Sequence, residues 1–185
     1  MSTNMMRAEK TLTIENKDYK AKMTLDTIMR IEDSLDTSIF AIAKKFEEPS
    51  VRMRDICQIL LCSIRSGGND IKDDVVYRHV SDVGIVQATK TAGELIVLGL
   101  NIQTNSPEEE KKKANHNPKD RLPLNRWMEI CTGMIGISPE VFWDMSINEI
   151  TMAINGFREY NTGKKESSIM TMTDLDKLKE RYPDY

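Results

Sequence analysis

The sequence predicts a mainly α protein: an N-terminal β-hairpin packed on a helical bundle, a flexible linker, and a small C-terminal helical module. Three observations predict it. Alternation of apolar and polar residues is confined to T-L-T-I and Y-K-A-K-M, which flank the polar cluster E-N-K-D near the N-terminus. Elsewhere apolar residues recur at steps of three and four, the period of one helix face. Residues 101–122 carry two prolines, a charge run and almost no apolar side chain, too little to bury for the segment to order itself.

Each element can be justified in turn. In the hairpin, Leu12 and Ile14 share a face of the first strand, and Tyr19, Ala21 and Met23 share a face of the second. Thr24 suits an N-cap, because its hydroxyl can accept from an orphan backbone N–H of the first turn. The helix it starts carries Leu25, Ile28, Ile31 and Leu35 on one stripe. A second helix, from Asp36 to Phe46, presents Ile39, Ile42 and Phe46 and is stopped by Pro49, whose ring disfavours helical geometry in the preceding residue. The third starts at Ser50, carries Met53, Ile56, Ile59, Leu60 and Ile64, and ends at Gly67-Gly68. Asp73–Val80 contributes Val76 and Val80, and Ile85–Leu100 contributes Val86, Leu95, Ile96 and Leu98. These elements make a first domain over residues 1–100.

Beyond the linker of residues 101–122, the spacing predicts a helix over Pro123–Ile135 with Trp127, Ile130, Cys131 and Met134 on one stripe. Ser138-Pro139 is an N-cap followed by a proline whose missing N–H costs nothing in the first turn. Ser146-x-x-Glu149 is a capping box, and its helix carries Ile147, Ile150, Ile154 and Phe157. Between the two caps lies the short helix Pro139–Asp144. Its adjacent Phe142 and Trp143 point about 100° apart, so one can serve a core while the other faces outward. Residues 123–160 form the small module, and residues 161–185 a polar tail with a helix start at Thr173.

Chemistry is thin in this chain. With 26 basic and 29 acidic residues interspersed and a net charge of -3, there is no basic face for a phosphate backbone, and no nucleic-acid partner is expected. No apolar run approaches the ~18–20 residues of a membrane helix, and the N-terminus lacks a signal pattern, so a cytoplasmic location with no membrane partner is expected. The 3 cysteines, Cys57, Cys62 and Cys131, fall in apolar periodic segments and read as buried thiols. His79 and His116 have no metal-ligand spacing, and Gly67-Gly68 is not followed by the Lys-Ser/Thr of a phosphate loop. No catalytic residue, metal or cofactor is expected, and the chain is not read as an enzyme.

Methionine is abundant, with 12 in 185 residues. Its flexible thioether fills irregular cores and also coats surfaces that accept varied partners. Met23, Met53 and Met134 read as core, whereas Met145, Met170 and Met172 lie where a partner could reach them. Trp is enriched at interface hot spots. The candidate partner-binding residues are Trp127, Pro139, Phe142, Trp143 and Met145.

The stretch L124-N-R-W-M-E-I-C-T-G-M-I-G-I-S-P-E-V-F-W-D-M-S-I-N-E-I-T-M-A-I-N-G-F157 resembles the small tail assembly chaperone module of long-tailed phages and gene transfer agents. It shares a Trp-containing first helix, a G-(L/I)-S-P-x-x-F-W corner and an (S/T)-x-x-E helix start. The first domain, with R30-I-E-D-S-L35 and R-x-x-D-I-C-Q-I-L-L-C-S-I-R-S-G-G over Arg52 to Gly68, resembles the other chaperone-type protein of gene transfer agent tail clusters. The resemblance implies a tail assembly chaperone of a phage, prophage or gene transfer agent, working in the host cytoplasm. Its implied partners are the tape measure protein, held soluble, and the tail tube protein, brought to it; a homo-oligomer along the tape measure is left open. The alternatives are a minor structural tail protein and a small helix-turn-helix regulator. The latter needs a recognition helix rich in polar and basic residues, where Glu149–Phe157 is mostly apolar.

Overall fold

Two adjacent residues with positive φ, Glu15 at 49° and Asn16 at 61°, close the N-terminal hairpin, as the tight turns that match strand twist require. The computed structural model describes residues 3–48, 50–100 and 122–162. The hairpin pairs β2 (Glu9–Ile14) with β3 (Lys17–Lys22), with Leu12 opposite Tyr19. A two-residue strand, β1 (Thr3–Asn4), is added on the free side of β2 against Glu9 and Lys10. One face of this sheet is apolar, with Leu12, Ile14, Tyr19 and Ala21 buried; Lys10 joins them by pairing its Nζ with Glu94.

Thr24 caps α1 (Leu25–Leu35) as expected, accepting from the Thr27 N–H at 3.2 Å, while the Thr27 hydroxyl faces the Thr24 N–H in return. Asp36, with φ 48°, turns the chain out of α1, and Ser38 caps α2 (Ile39–Glu47). The central helix is α3 (Met53–Ser66), which buries Ile56, Cys57, Ile59, Leu60, Leu61 and Ile64. It packs on α1, on β3 and on α5. Next, α4 (Asp73–Val83) and α5 (Ile85–Leu100) are bent by 119° at Gly84, whose φ of 81° suits a residue without Cβ. Among the described residues no single helix is long and apolar enough to cross a membrane.

Three core expectations change. Val86 is 82% exposed, and the buried face of α5 is built instead from Ala88, Ala92, Leu95, Ile96 and Gly99. Small residues let this helix approach closely: a Cβ on Gly99 would stand 3.0 Å from Met23. Met53 is 44% exposed because it is the first residue of α3 and overhangs the core edge. Met134 is 54% exposed for a third reason, in the C-terminal unit. There the expected straight helix is α6 (Leu124–Met128) continued by a π-helical turn, Glu129–Ile135. The wider turn keeps Cys131 inside and carries Met134 off the stripe.

The chain ends its described course with α7 (Pro139–Asp144) and α8 (Ile147–Thr162). Cys131, Phe142, Ile147, Ile150 and Ile154 belong to the same buried cluster as the hairpin and α1–α5. The charged stretch of 101–121, Pro49, and the tail from 163 with Thr173, Met170 and Met172 lie outside the described residues, as does His116.

Candidate interaction surface

Residues 144–149 stitch the C-terminal helices onto the first part of the chain. The Lys22 Nζ donates to the Asp144 carboxylate at 2.8 Å and to its carbonyl at 3.1 Å. The Leu25 N–H, an orphan donor of the first turn of α1, is satisfied by the Met145 carbonyl at 3.0 Å. Ser146 is buried and works twice: its hydroxyl accepts from the Glu149 N–H at 3.2 Å and donates to the Met6 carbonyl at 2.8 Å. The Glu149 carboxylate closes the capping box on the Ser146 N–H at 2.9 Å and lies 3.8 Å from Arg7. Asn148 donates to the Met5 carbonyl at 2.8 Å.

Replacing Ser146 with alanine therefore removes a helix cap and leaves the Met6 carbonyl without its donor. Ser146→Ala is expected to cost about 2 kcal/mol, the sum of an ordinary cap and one lost buried hydrogen bond. Urea denaturation checks this, and an unchanged midpoint would mean that this seam does not form.

The aromatic corner sits directly before the seam. Ser138 caps α7, accepting from the Val141 N–H at 3.4 Å, and Pro139 occupies an early helical position on the exposed side. Phe142 is fully buried at 0% exposure, and its ring meets that of Trp143 edge to face, with centroids 5.3 Å apart at 72°. Trp143 is partly exposed, as are Trp127 and Met145. Of the five candidates, Phe142 and Trp143 are thus in direct ring contact. Phe142 stands behind the surface as an anchor, Pro139 is exposed, and Trp143, Trp127 and Met145 are partly buried against the core. Val141, one residue before Phe142, is also exposed, on the side of this short helix away from Trp143. Its signal was present in the sequence, since the helical step that buries Phe142 turns its neighbour outward.

Burial sets the titration of the cysteines and of His79. Burial pushes the thiols of Cys57, Cys62 and Cys131 above the ordinary range, which keeps them protonated and poorly nucleophilic. Burial likewise lowers the pKa of His79, with Asp82 and Glu15 partly opposing it. Among the described residues, no group of three or more His, Cys, Asp or Glu side chains is placed to hold a metal ion.

With this arrangement in view, two comparisons are informative. A family model described as phage tail tube protein, GTA-gp10, matches residues 7–102, covering the hairpin and α1–α5. A second, described as phage tail assembly chaperone protein, TAC, matches residues 122–185, which contain the aromatic corner and the seam. No curated protein and no solved structure matches the chain.

Proposed function

The chain belongs to the phage tail tube protein, GTA-gp10, family, and from that premise we propose that it is a tail assembly chaperone that binds the tape measure protein and delivers tail tube subunits to it. A role in phage tail assembly is common ground for both matched families, and their descriptions name structural and chaperone proteins. The finer reading rests on one observation. The part of the chain that matches a tail assembly chaperone carries a partly exposed Trp143 backed by a buried Phe142, a rigid aromatic anchor of the kind that dominates interface energetics.

In this reading residues 1–100 and 123–160 are two binding units joined through 101–122, with 161–185 as an appended tail. The C-terminal helices share one buried cluster with the first part, so both units present their surfaces from a single packed body and a client meets them together. Pro139, Trp143, Trp127 and Met145 meet the client, and Phe142 holds Trp143 in place. The work is done in the host cytoplasm by binding, with no cofactor.

The test is an affinity pull-down of the tagged full chain from cells in which the phage-like element is induced. Tape measure and tube proteins are expected in the eluate, and Trp143→Ala should reduce their recovery about tenfold or more while circular dichroism stays unchanged. Equal recovery by a folded Trp143→Ala variant would remove Trp143 from the interface, and absence of the tape measure protein would remove the client assignment. A second reading, a minor structural component of the tail, is favoured by the tail tube description of the first match. Mass spectrometry of purified tails separates the two: a chaperone is absent from finished particles, and a structural protein is present in fixed copy number.

A further inference from the structure

Between the C-terminal half of α1 and the residues that lead into α6 lies a groove of about 930 Å3. Ile28 and Met29 on one side and Leu122 and Leu124 on the other give it apolar surface, and Met29 is 38% exposed. Glu32, Asp33 and Asp36 line its α1 side with carboxylates. Among the described residues the one basic side chain lining it is Arg126, already held by Glu129 at 2.9 Å. Glu32 is fixed by accepting from the Ile39 N–H at 2.6 Å. Asp33 and Asp36 are exposed, and neither carboxylate has an ion-pair partner among the described residues.

These acids stand at the unfavourable end of their helix. A helix C-terminus carries about half a negative charge, which favours cations there and disfavours carboxylates. The first turn of α1 holds Asp26, where an acid helps, but its last turn holds no basic residue, and Asp36 is its C-cap. The negative charge at this end is therefore left for a cation from outside to offset. Glu32 and Asp33 precede Asp36 by four and three residues, so all three share one side of α1. Lys or Arg at i and i+4 on a partner helix repeats at the same interval. The apolar surface adds a second requirement: Met29 and its neighbours are covered only if apolar side chains accompany the cations, and the flexible thioether of Met29 adapts to their shape.

We propose that this groove docks a basic amphipathic helix of a partner protein. The apolar stripe of that helix covers Ile28, Met29, Leu122 and Leu124, and its Lys or Arg side chains at i and i+4 meet Asp33 and Asp36. None of Trp127, Pro139, Phe142, Trp143 and Met145 lines the groove, so it is a surface separate from the aromatic corner, and one that selects by charge. The inference does not depend on which protein is the client, and its failure leaves the tape measure assignment above untouched.

Fluorescence anisotropy of labelled synthetic peptides with the purified full chain tests it. The probes are a Leu/Lys helix with Lys at i and i+4, the same peptide with Glu in place of Lys, and a Ser/Lys peptide without apolar residues. The Leu/Lys peptide is expected to bind, and the other two about tenfold more weakly or less. Asp33→Asn with Asp36→Asn should weaken the Leu/Lys peptide about fivefold, as the loss of two exposed ion pairs predicts. Both changes keep the fold, since Asp33 is exposed and asparagine tolerates the left-handed φ of 48° at position 36. Glu47→Gln with Glu159→Gln changes the net charge equally at exposed sites elsewhere and should leave binding as it was. The proposal is overturned if the Leu/Lys peptide does not bind, if either of the other peptides binds as well, or if the two double variants behave alike. Binding that emerges only once Lys111, Lys112 and Lys113 are replaced by serine would assign the groove to the chain itself and overturn it too.

Discussion

Phe142→Ala is expected to lower stability by about 3–5 kcal/mol, the cost of emptying a fully buried aromatic site that cannot collapse around the void. Phe142 is 0% exposed, shares an edge-to-face contact with Trp143, and sits on a helix of six residues packed against α1. So short a helix has little stability of its own and depends on this one side chain for its position. Urea denaturation read by Trp fluorescence checks the number. The same variant should shift Trp143 emission to the red, because its ring loses its inner support. Phe142→Leu should retain more than half of the stability lost by the alanine variant. A cost below about 1 kcal/mol would mean that the corner is not part of the core.

The second large effect is expected at Gly67, where α3 turns back over the hairpin. A Cβ there would lie 1.8 Å from the Lys20 carbonyl oxygen and 2.6 Å from its carbon, contacts that only backbone movement can relieve. The glycine's own φ is -72°, a value any residue adopts, so the requirement is one of space and not of conformation. Asn69 shows how tightly the turn is drawn in, donating to the Lys20 carbonyl at 2.7 Å and to the Ile64 carbonyl at 3.0 Å. Gly67→Ala should therefore cost about 3 kcal/mol or more. The neighbouring Gly68 offers the internal control: it has open space around it but a φ of 83°, so Gly68→Ala should cost only about 1–2 kcal/mol. Thermal unfolding of both variants gives the ranking, and the reverse order would contradict the close approach of α3 to β3.

These two positions also show what a reader of the sequence can and cannot find. The end of α3 at Gly67-Gly68 was legible as a stop signal, but which glycine is constrained, and by what, depends on a strand over forty residues earlier. Likewise the caps at Thr24, Ser138 and Ser146 were legible because their side chains act within three residues of themselves. That Ser146 also reaches Met6 was not, since a backbone carbonyl carries no residue-type signal. The π turn at Glu129–Ile135 escaped because its composition suits an α-helix equally well. The strand β1 escaped because two residues cannot show an alternation. On α5 Leu95 and Ile96 were legible as core, whereas Val86 misled, and the close contact with Met23 is made at Gly99, which has no side chain to signal it. At the aromatic corner the angular separation of Phe142 and Trp143 was readable. Which ring turns inward is decided by α1, and that needed the fold.

The seam at residues 144–149 has a kinetic consequence during synthesis. The Met6 carbonyl and the Ser146 hydroxyl that donates to it are 140 residues apart, and at about 5–20 residues per second the ribosome needs roughly 7–28 s to make that gap. For all of that time the Met6 carbonyl and the Leu25 N–H lack the partners that Ser146 and Met145 supply in the finished fold. The nascent N-terminal part thus waits in an incomplete form, and the last bonds close only after α7 and the start of α8 have emerged. Such a high sequence separation makes this closure a late and slow step in folding. A chain cut short before Ser146 would lack the donor to Met6 and the acceptor for Leu25, and with them the bonds that close the N-terminal edge.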